Sequence, residues 1–303
     1  MVSVRGLSHA YNSHQALAGV SFEVSRGEIF GVLGPNGSGK STLFRILSTL
    51  MAPASGSASI AGFDTVRSAA SVRRNIGVVF QSQSLDRKLT AEENLIAQGY
   101  LFGFHGGALK ARAADLLRRF HLADRRGDLV ETLSGGLRRR LEVAKALLHQ
   151  PRLLLMDEPS SGLDPAARRD LWLYIEQLSR EQGMTVLLTT HILDEAERCG
   201  RLLLLHEGRI VAQGAPAELK ARIGGDVVVL EVDSPEEAAR RLQQRFGVQV
   251  RLAAGAVRVE TANGHRFVAE AVEALGSQVR SVALHKPTLE DVFLDETGAS
   301  IHA

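Results

Sequence analysis

One cysteine, Cys199, stands in a chain of 303 residues, so no intrachain disulfide can form, and a reducing compartment suits the protein. A lone thiol of this kind is expected to pack as a small hydrophobe rather than to react. No apolar run approaches the roughly 18 residues that a bilayer-spanning helix requires, and the first residues lack the apolar core of a signal peptide. Work at a membrane would therefore need other chains to supply the spans. Excess charge is also missing: 36 Lys and Arg against 34 Asp and Glu leave a formal +2. That balance points to neither nucleic acid nor an anionic membrane surface as a partner. Internal repeats and low-complexity tracts are absent from the sequence.

What remains is a globular composition, 45% apolar and 23% charged, long enough for one large domain and a small one. Residues 2–24 read as strands with a polar turn near residues 12–14, and residues 28–33 as a buried strand. The loop at residues 34–42 (GPNGSGKST) follows directly, and then a helix that stops before Pro53 and Gly56. Strand, Gly-rich loop and helix form the context that a phosphate loop needs. In the pattern G-x-x-x-x-G-K-S, backbone N–H groups curl around the phosphates and the helix dipole faces them. Lys40 supplies a point charge to the β/γ oxygens, and the Ser41 hydroxyl is a magnesium ligand. Far downstream, the apolar run at residues 153–156 ends in Asp157 and Glu158. Two carboxylates at that position suit a division of labour: Asp157 helps to hold magnesium, and Glu158 deprotonates the attacking water.

Between these segments lies Leu133-Ser134-Gly135-Gly136-Leu137. Phosphate loop, LSGG turn and hydrophobic strand ending in Asp-Glu, in this order, resemble the ATP-binding-cassette (ABC) ATPases over residues 1 to about 222. The resemblance implies an α/β P-loop NTPase fold with a mixed sheet core, an N-terminal antiparallel part and an inserted helical subdomain at about residues 85–145. It also implies ATP and Mg2+ as cofactors and a head-to-tail homodimer with composite ATP sites. Ser134, Gly135 and Gly136 would press on the γ-phosphate held by the other subunit; Leu137 stands where many relatives have Gln. Residues Gly34, Pro35, Asn36, Gly37, Ser38, Gly39, Lys40, Ser41 and Thr42 would bind nucleotide, and Ser41, Gln81 and Asp157 the metal. Gln81 and His191 would join Glu158 in catalysis, Asp164 would close the D-loop that meets the partner, and Tyr11 would stack on adenine. The basic segment at residues 138–140 reads as a solvated helix face.

Near residues 223–225 the pattern changes. Strand 226–232, helix 234–246, strands 248–252 and 257–260, helix 264–275 and strand 279–284 give the order βαββαβ, a ferredoxin-like accessory or regulatory module over residues 223–303. Ser234, Pro235 and Glu237 read as N-cap, first helical residue and capping box. The tail at residues 285–293 (HKPTLEDVF) and residues 81–95 (QSQSLDRKLTAEENL) resemble drug-export ATPases of the ABC-2 type. Export through a separately encoded membrane permease is therefore expected, with the chain cytoplasmic and peripheral on the inner membrane face. A soluble ABC ATPase acting on ribosomes or DNA is the alternative. A single-site P-loop kinase or GTPase would need neither the signature turn nor a second subunit.

Overall fold

Three sheets organise the structure, a computed structural model that describes residues 1–253 and 255–301. Strands β1 (Val2–Tyr11), β2 (His14–Val24), β4 (Ser55–Ile60) and β5 (Phe63–Asp64) form an antiparallel sheet in the order β2-β1-β4-β5. Strands β3 (Ile29–Leu33), β6 (Ile76–Val79), β7 (Leu153–Asp157), β8 (Thr185–Thr190), β9 (Arg201–His206) and β10 (Arg209–Gly214) form the central sheet, ordered β10-β9-β3-β8-β7-β6. All its pairs are parallel except the edge hairpin of β9 and β10. Parallel strands are covered on both faces, which is why β3, β7 and β8 read as continuous apolar runs rather than alternating ones. Alternation persists in where the side chains go: Leu154, Met156, Val186 and Leu188 enter one core, while Leu153, Leu155 and Leu187 enter another.

The second of those cores also holds the antiparallel sheet and helix α1 (Lys40–Leu47), near α2 (Ala69–Asn75). The first lies under α3 (Ala91–Leu101), α4 (Gly106–Arg119), α5 (Gly135–Leu147) and α6 (Pro165–Gln182). Helix α3 starts sharply because Thr90 and Glu93 close a capping box: Glu93 N donates to Thr90 Oγ1 at 3.2 Å and Thr90 N to Glu93 Oε2 at 2.8 Å. After β8 come α7 (Leu193–Ala196), the β9–β10 hairpin and α8 (Pro216–Ala221).

The C-terminal region contains β11 (Asp226–Val232), α9 (Pro235–Phe246), β12 (Val250–Ala253), β13 (Ala256–Thr261), α10 (Gly264–Leu275), β14 (Val279–His285) and α11 (Leu289–Thr297). Its sheet is antiparallel throughout, in the order β12-β13-β11-β14, and α9 and α10 cover one face. This is the expected βαββαβ arrangement. One detail differs: Ser234 occupies the N-cap of α9 with Pro235 behind it, but its side chain accepts no cap hydrogen bond, so the expected box with Glu237 does not form. Its backbone, at φ −132° and ψ 85°, departs from the extended geometry of the Thr90 and Thr288 caps, whose boxes do close. The fold then turns back on itself. Helix α11 packs Leu289, Val292 and Phe293 into a core shared with Leu33, Leu202, Leu204, Ala212 and Leu219. The terminal module is therefore fastened to the central sheet by its last helix.

Candidate nucleotide site

The phosphate loop, Gln81, Asp157, Glu158 and His191 gather at the C-terminal ends of the parallel strands, where open α/β sheets hold their ligands. The phosphate loop follows β3, Gln81 follows β6, Glu158 follows β7 and His191 follows β8. Loop and helix are held tightly. Gly34 N donates to Thr190 O at 3.3 Å, and Gly208 N donates to Ser38 O at 3.0 Å. Gly39 has φ +105°, and a Cβ there would lie 2.3 Å from Ala16 O, so only glycine fits. Ser38 Oγ is buried without a hydrogen-bond partner among the described residues, which marks a loop whose polar groups an oxyanion would complete.

Glu158 is the centre of the cluster. Gln81 Nε2 donates to its Oε2 at 3.1 Å. Lys40 Nζ lies 3.5 Å from its Oε1, and His191 Nδ1 lies 3.3 Å from the same oxygen. Its backbone sits at φ +44°, a strained conformation for a branched-free but non-glycine residue, held by donation from Glu158 N to Thr189 O at 3.1 Å. Lys40 is buried; its ammonium donates to Gly34 O at 2.8 Å and Pro35 O at 2.9 Å. Burial pulls its pKa down, opposed by the neighbouring Glu158 and Asp157 carboxylates. Asp157 accepts from Thr189 Oγ1 at 2.5 Å, and burial pushes its pKa up.

A cleft of about 290 Å³ opens beside this cluster, lined by Tyr11, Asn36, Gly37, Gly39, Lys40, Ser41, Thr42, Gln81 and Glu158 among others. Tyr11 stands at its margin, 40% exposed, with its ring edge-on to His9 at 4.8 Å and its hydroxyl donating to Met51 Sδ at 3.3 Å. Ser41, Gln81 and Asp157 offer only oxygen donors to a cation, a set suited to a hard ion such as Mg2+. The Ser38 hydroxyl and the glycine cradle likewise fit phosphate.

Ser134, Gly135, Gly136 and Asp164 do not line that cleft. Ser134 is exposed and caps α5, its Oγ accepting from Leu137 N at 3.3 Å. Asp164 caps α6, accepting from Ala166 N and Ala167 N at 3.0 Å each. The two turns abut: a Cβ on Gly136 would lie 2.9 Å from Ala167 Cβ. Together they cap the N-termini of α5 and α6, with Ser134 exposed to solvent.

Two buried charged residues that no motif marks, Arg139 and Glu195, pack beside this cluster. Residues 138–140 are not a solvated face: Arg139 is buried, at 6% exposure, and Arg140 pairs with Asp170 and lies over the Tyr174 ring. Arg139 donates to Pro159 O at 2.5 Å, Phe80 O at 2.7 Å, Glu142 Oε2 at 2.8 Å and Glu158 O at 3.3 Å. The available signal was its place at i in the run i, i+3, i+4, i+7 with Glu142, Val143 and Ala146, all buried. The second is Glu195, buried after β8, which accepts from Ser160 Oγ and, at 2.6 Å, from Thr190 Oγ1. Burial pushes its pKa up.

Comparison with known proteins agrees with this geometry. Residues 17–161 match the ABC transporter family, and residues 214–297 match the C-terminal domain of DrrA1-3-like ATP-binding proteins. The chain is 42% identical to the daunorubicin resistance ATP-binding protein DrrA3 of Streptomyces coeruleorubidus, over 98% of this chain and 96% of that one. It is 40% identical to the Nod factor export ATP-binding protein I of Paraburkholderia xenovorans (strain LB400), over 95% and 94%. Among solved structures, the dimeric ATP-binding cassette MJ0796 in a post-hydrolysis state bound to ADP and Pi superposes with a TM-score of 0.64 at 28% identity, over 71% of this chain and 98% of that one. With relatives at this identity matched over nearly their whole length, the chain belongs to the ABC transporter family of ATP-binding proteins.

Proposed function

We propose that the protein binds and hydrolyses ATP as a subunit of an export complex, working through a separate membrane permease of the ABC-2 type. The observation that carries the ATPase reading is the convergence of Lys40, Gln81 and His191 on the Glu158 carboxylate at the ends of parallel strands. The export reading rests on the drug-resistance and export relatives, which match nearly the whole chain including its C-terminal region. No helix among the described residues is long and apolar enough to cross a membrane, so the spans would come from the partner. The chain would then be cytoplasmic and peripheral at the inner membrane face. Residues 1–222 would form the ATPase domain, with its helical subdomain at about 85–145, and residues 223–303 an accessory domain.

In this mechanism, residues 34–42 hold the triphosphate and Tyr11 meets the adenine. Lys40 exchanges its carbonyl partners for the β/γ oxygens. Ser41, Asp157 and Gln81 would hold Mg2+, which when bound neutralises triphosphate charge. Glu158 takes a proton from water as the water oxygen bonds to the γ-phosphorus. The bond to the β–γ bridging oxygen breaks and ADP leaves with its electron pair. His191 stands beside Glu158, where the γ-phosphate is expected. The exposed N-terminus of α5, carrying Ser134, Gly135 and Gly136, closes on the γ-phosphate bound by a second copy, and Asp164 shapes the turn beside it. Because those contacts exist only in the closed dimer, ATP binds that state more tightly and drives closure; hydrolysis releases it.

Affinity purification of the chain from detergent-solubilised native membranes tests the transport assignment. A multi-spanning membrane protein should co-elute in stoichiometric amount and alter the ATPase rate. Recovery with ribosomes or DNA and no membrane protein would reject it.

A further inference from the structure

Helix α5 is capped by Ser134 and, about one turn and a half later, buries the Arg139 guanidinium against the backbone of Glu158 in its own chain. Arg139 reaches three main-chain carbonyls: Glu158 O at 3.3 Å, Pro159 O at 2.5 Å and Phe80 O at 2.7 Å. The first two belong to the base and the residue after it; the third precedes Gln81. Its fourth bond, to Glu142 Oε2 at 2.8 Å, fixes the fork in place. Glu142 and Lys145, further along the same face of α5, take up the other end of the Gln81 segment: Ser84 N donates to Glu142 Oε1 at 2.7 Å, and Lys145 Nζ donates to Ser84 O at 2.6 Å. Thus one helix face grips the backbone on both sides of Gln81 and on the C-terminal side of Glu158.

Glu158 needs such support. At φ +44° it occupies a sparsely populated conformation that persists only where its surroundings enforce it. Thr189 secures its N–H, and Arg139 secures its carbonyl. A planar guanidinium holds five donors in a fixed fork, pre-organised to meet carbonyls on two loops, whereas an ammonium offers three donors clustered at one point on a flexible stem.

We propose that Arg139 is a positioning residue for hydrolysis, tying the helix capped by Ser134 to the backbone of Glu158 and to the Gln81 segment. Closure of the Ser134 turn on a partner's nucleotide then moves or steadies the base of the same chain. This inference rests on the reading of Glu158 as general base and of Ser134 as a contact to the partner's nucleotide.

The test uses the full chain and two variants. The double variant Arg139→Met, Glu142→Met removes both buried charges, so neither is left unpaired. Arg139→Lys keeps a cation but not the fork. For each folded variant, the ATP dissociation constant is measured by titration and kcat and KM by steady-state hydrolysis. The expected result is a kcat at least tenfold lower in both, with the ATP dissociation constant within twofold of the parent; general destabilisation would weaken binding as well. Parental kcat in either folded variant overturns the proposal. Glu158→Gln run in parallel separates the two readings: if that variant still turns over normally, the base assignment fails. If it is inactive while the Arg139 variants are normal, only the Arg139 inference fails.

Discussion

The ammonium of Lys40 and the carboxylate of Glu158 lie 3.5 Å apart, both nearly removed from solvent. Each residue has a second set of partners in the same site. Lys40 holds the carbonyls of its own loop, and Glu158 receives Gln81. Burial alone would drive Lys40 toward its neutral form; the nearby carboxylates oppose that shift, and a triphosphate would oppose it further.

Replacing Glu158 by Gln keeps the volume and the contact with Gln81 but removes the proton acceptor. ATP binding should persist, and the turnover rate should fall by about 10²-fold or more, the usual contribution of a general base. ATP-bound dimers should accumulate, visible by size-exclusion chromatography. Normal steady-state hydrolysis would remove Glu158 from the role.

Lys40→Ala acts on binding instead. Charge-assisted hydrogen bonds contribute about 1.5–3 kcal/mol each, so the ATP dissociation constant should rise by roughly 10- to 100-fold. Calorimetric titration measures it directly. An unchanged constant would place the triphosphate elsewhere.

Gly39→Ala tests the loop backbone without touching any charge. Its Cβ would meet Ala16 O at 2.3 Å, and φ is +105°. The residue must shift or the β1–β2 hairpin must yield, at a cost of about 1–3 kcal/mol. A lower melting temperature together with weakened ATP binding is expected; a parental melting curve would show that the loop has room that the geometry denies.

Phe293→Ala tests the attachment of the C-terminal module. Phe293 is fully buried and packs edge-on against His206 at 5.4 Å. Loss of such a ring costs about 3–5 kcal/mol. The urea midpoint should drop accordingly, and a shift below about 0.5 kcal/mol would mean that α11 contributes little to the fold.

Glu195 supplies a pH-dependent test. Its folded pKa is raised by burial above the ordinary value of 4.5, so the folded state binds the proton more tightly than the unfolded chain. The stabilising contribution is complete below the unfolded pKa and is lost as pH rises through the folded one. Glu195→Gln, which stays neutral, should gain stability relative to the parent as pH increases above 4.5, in paired denaturation series. A constant difference between the two across that range would contradict the assignment.

Much of this was legible in the residues. The βαββαβ order of the C-terminal region followed from the alternation of residue types, and the buried parallel strands from unbroken apolar runs. The placement of Gly34, Lys40, Asp157 and Glu158 was readable because it depends on local backbone shape and on adjacency to a strand or helix end. Arg139 was not. Its neighbours in sequence, Arg138 and Arg140, made it look like part of a charged surface, and nothing local tells that Phe80 and Pro159 turn their carbonyls toward it. The cap at Ser234 failed for a related reason: the residue types were right, and the backbone angles were not.

By itself, the sequence named the groups able to cradle phosphate or to take a proton, and it holds no apolar run of the length that a bilayer span requires. Tertiary structure decided the rest. It brought Lys40, Gln81 and His191 to one carboxylate, left Ser134 exposed and outside the cleft lining, and folded α11 back onto the central sheet. Motifs encode short-range backbone geometry, which neighbouring residues suffice to specify. Contacts between distant segments depend on which groups the packed core turns toward each other, and that is set only when the chain is folded.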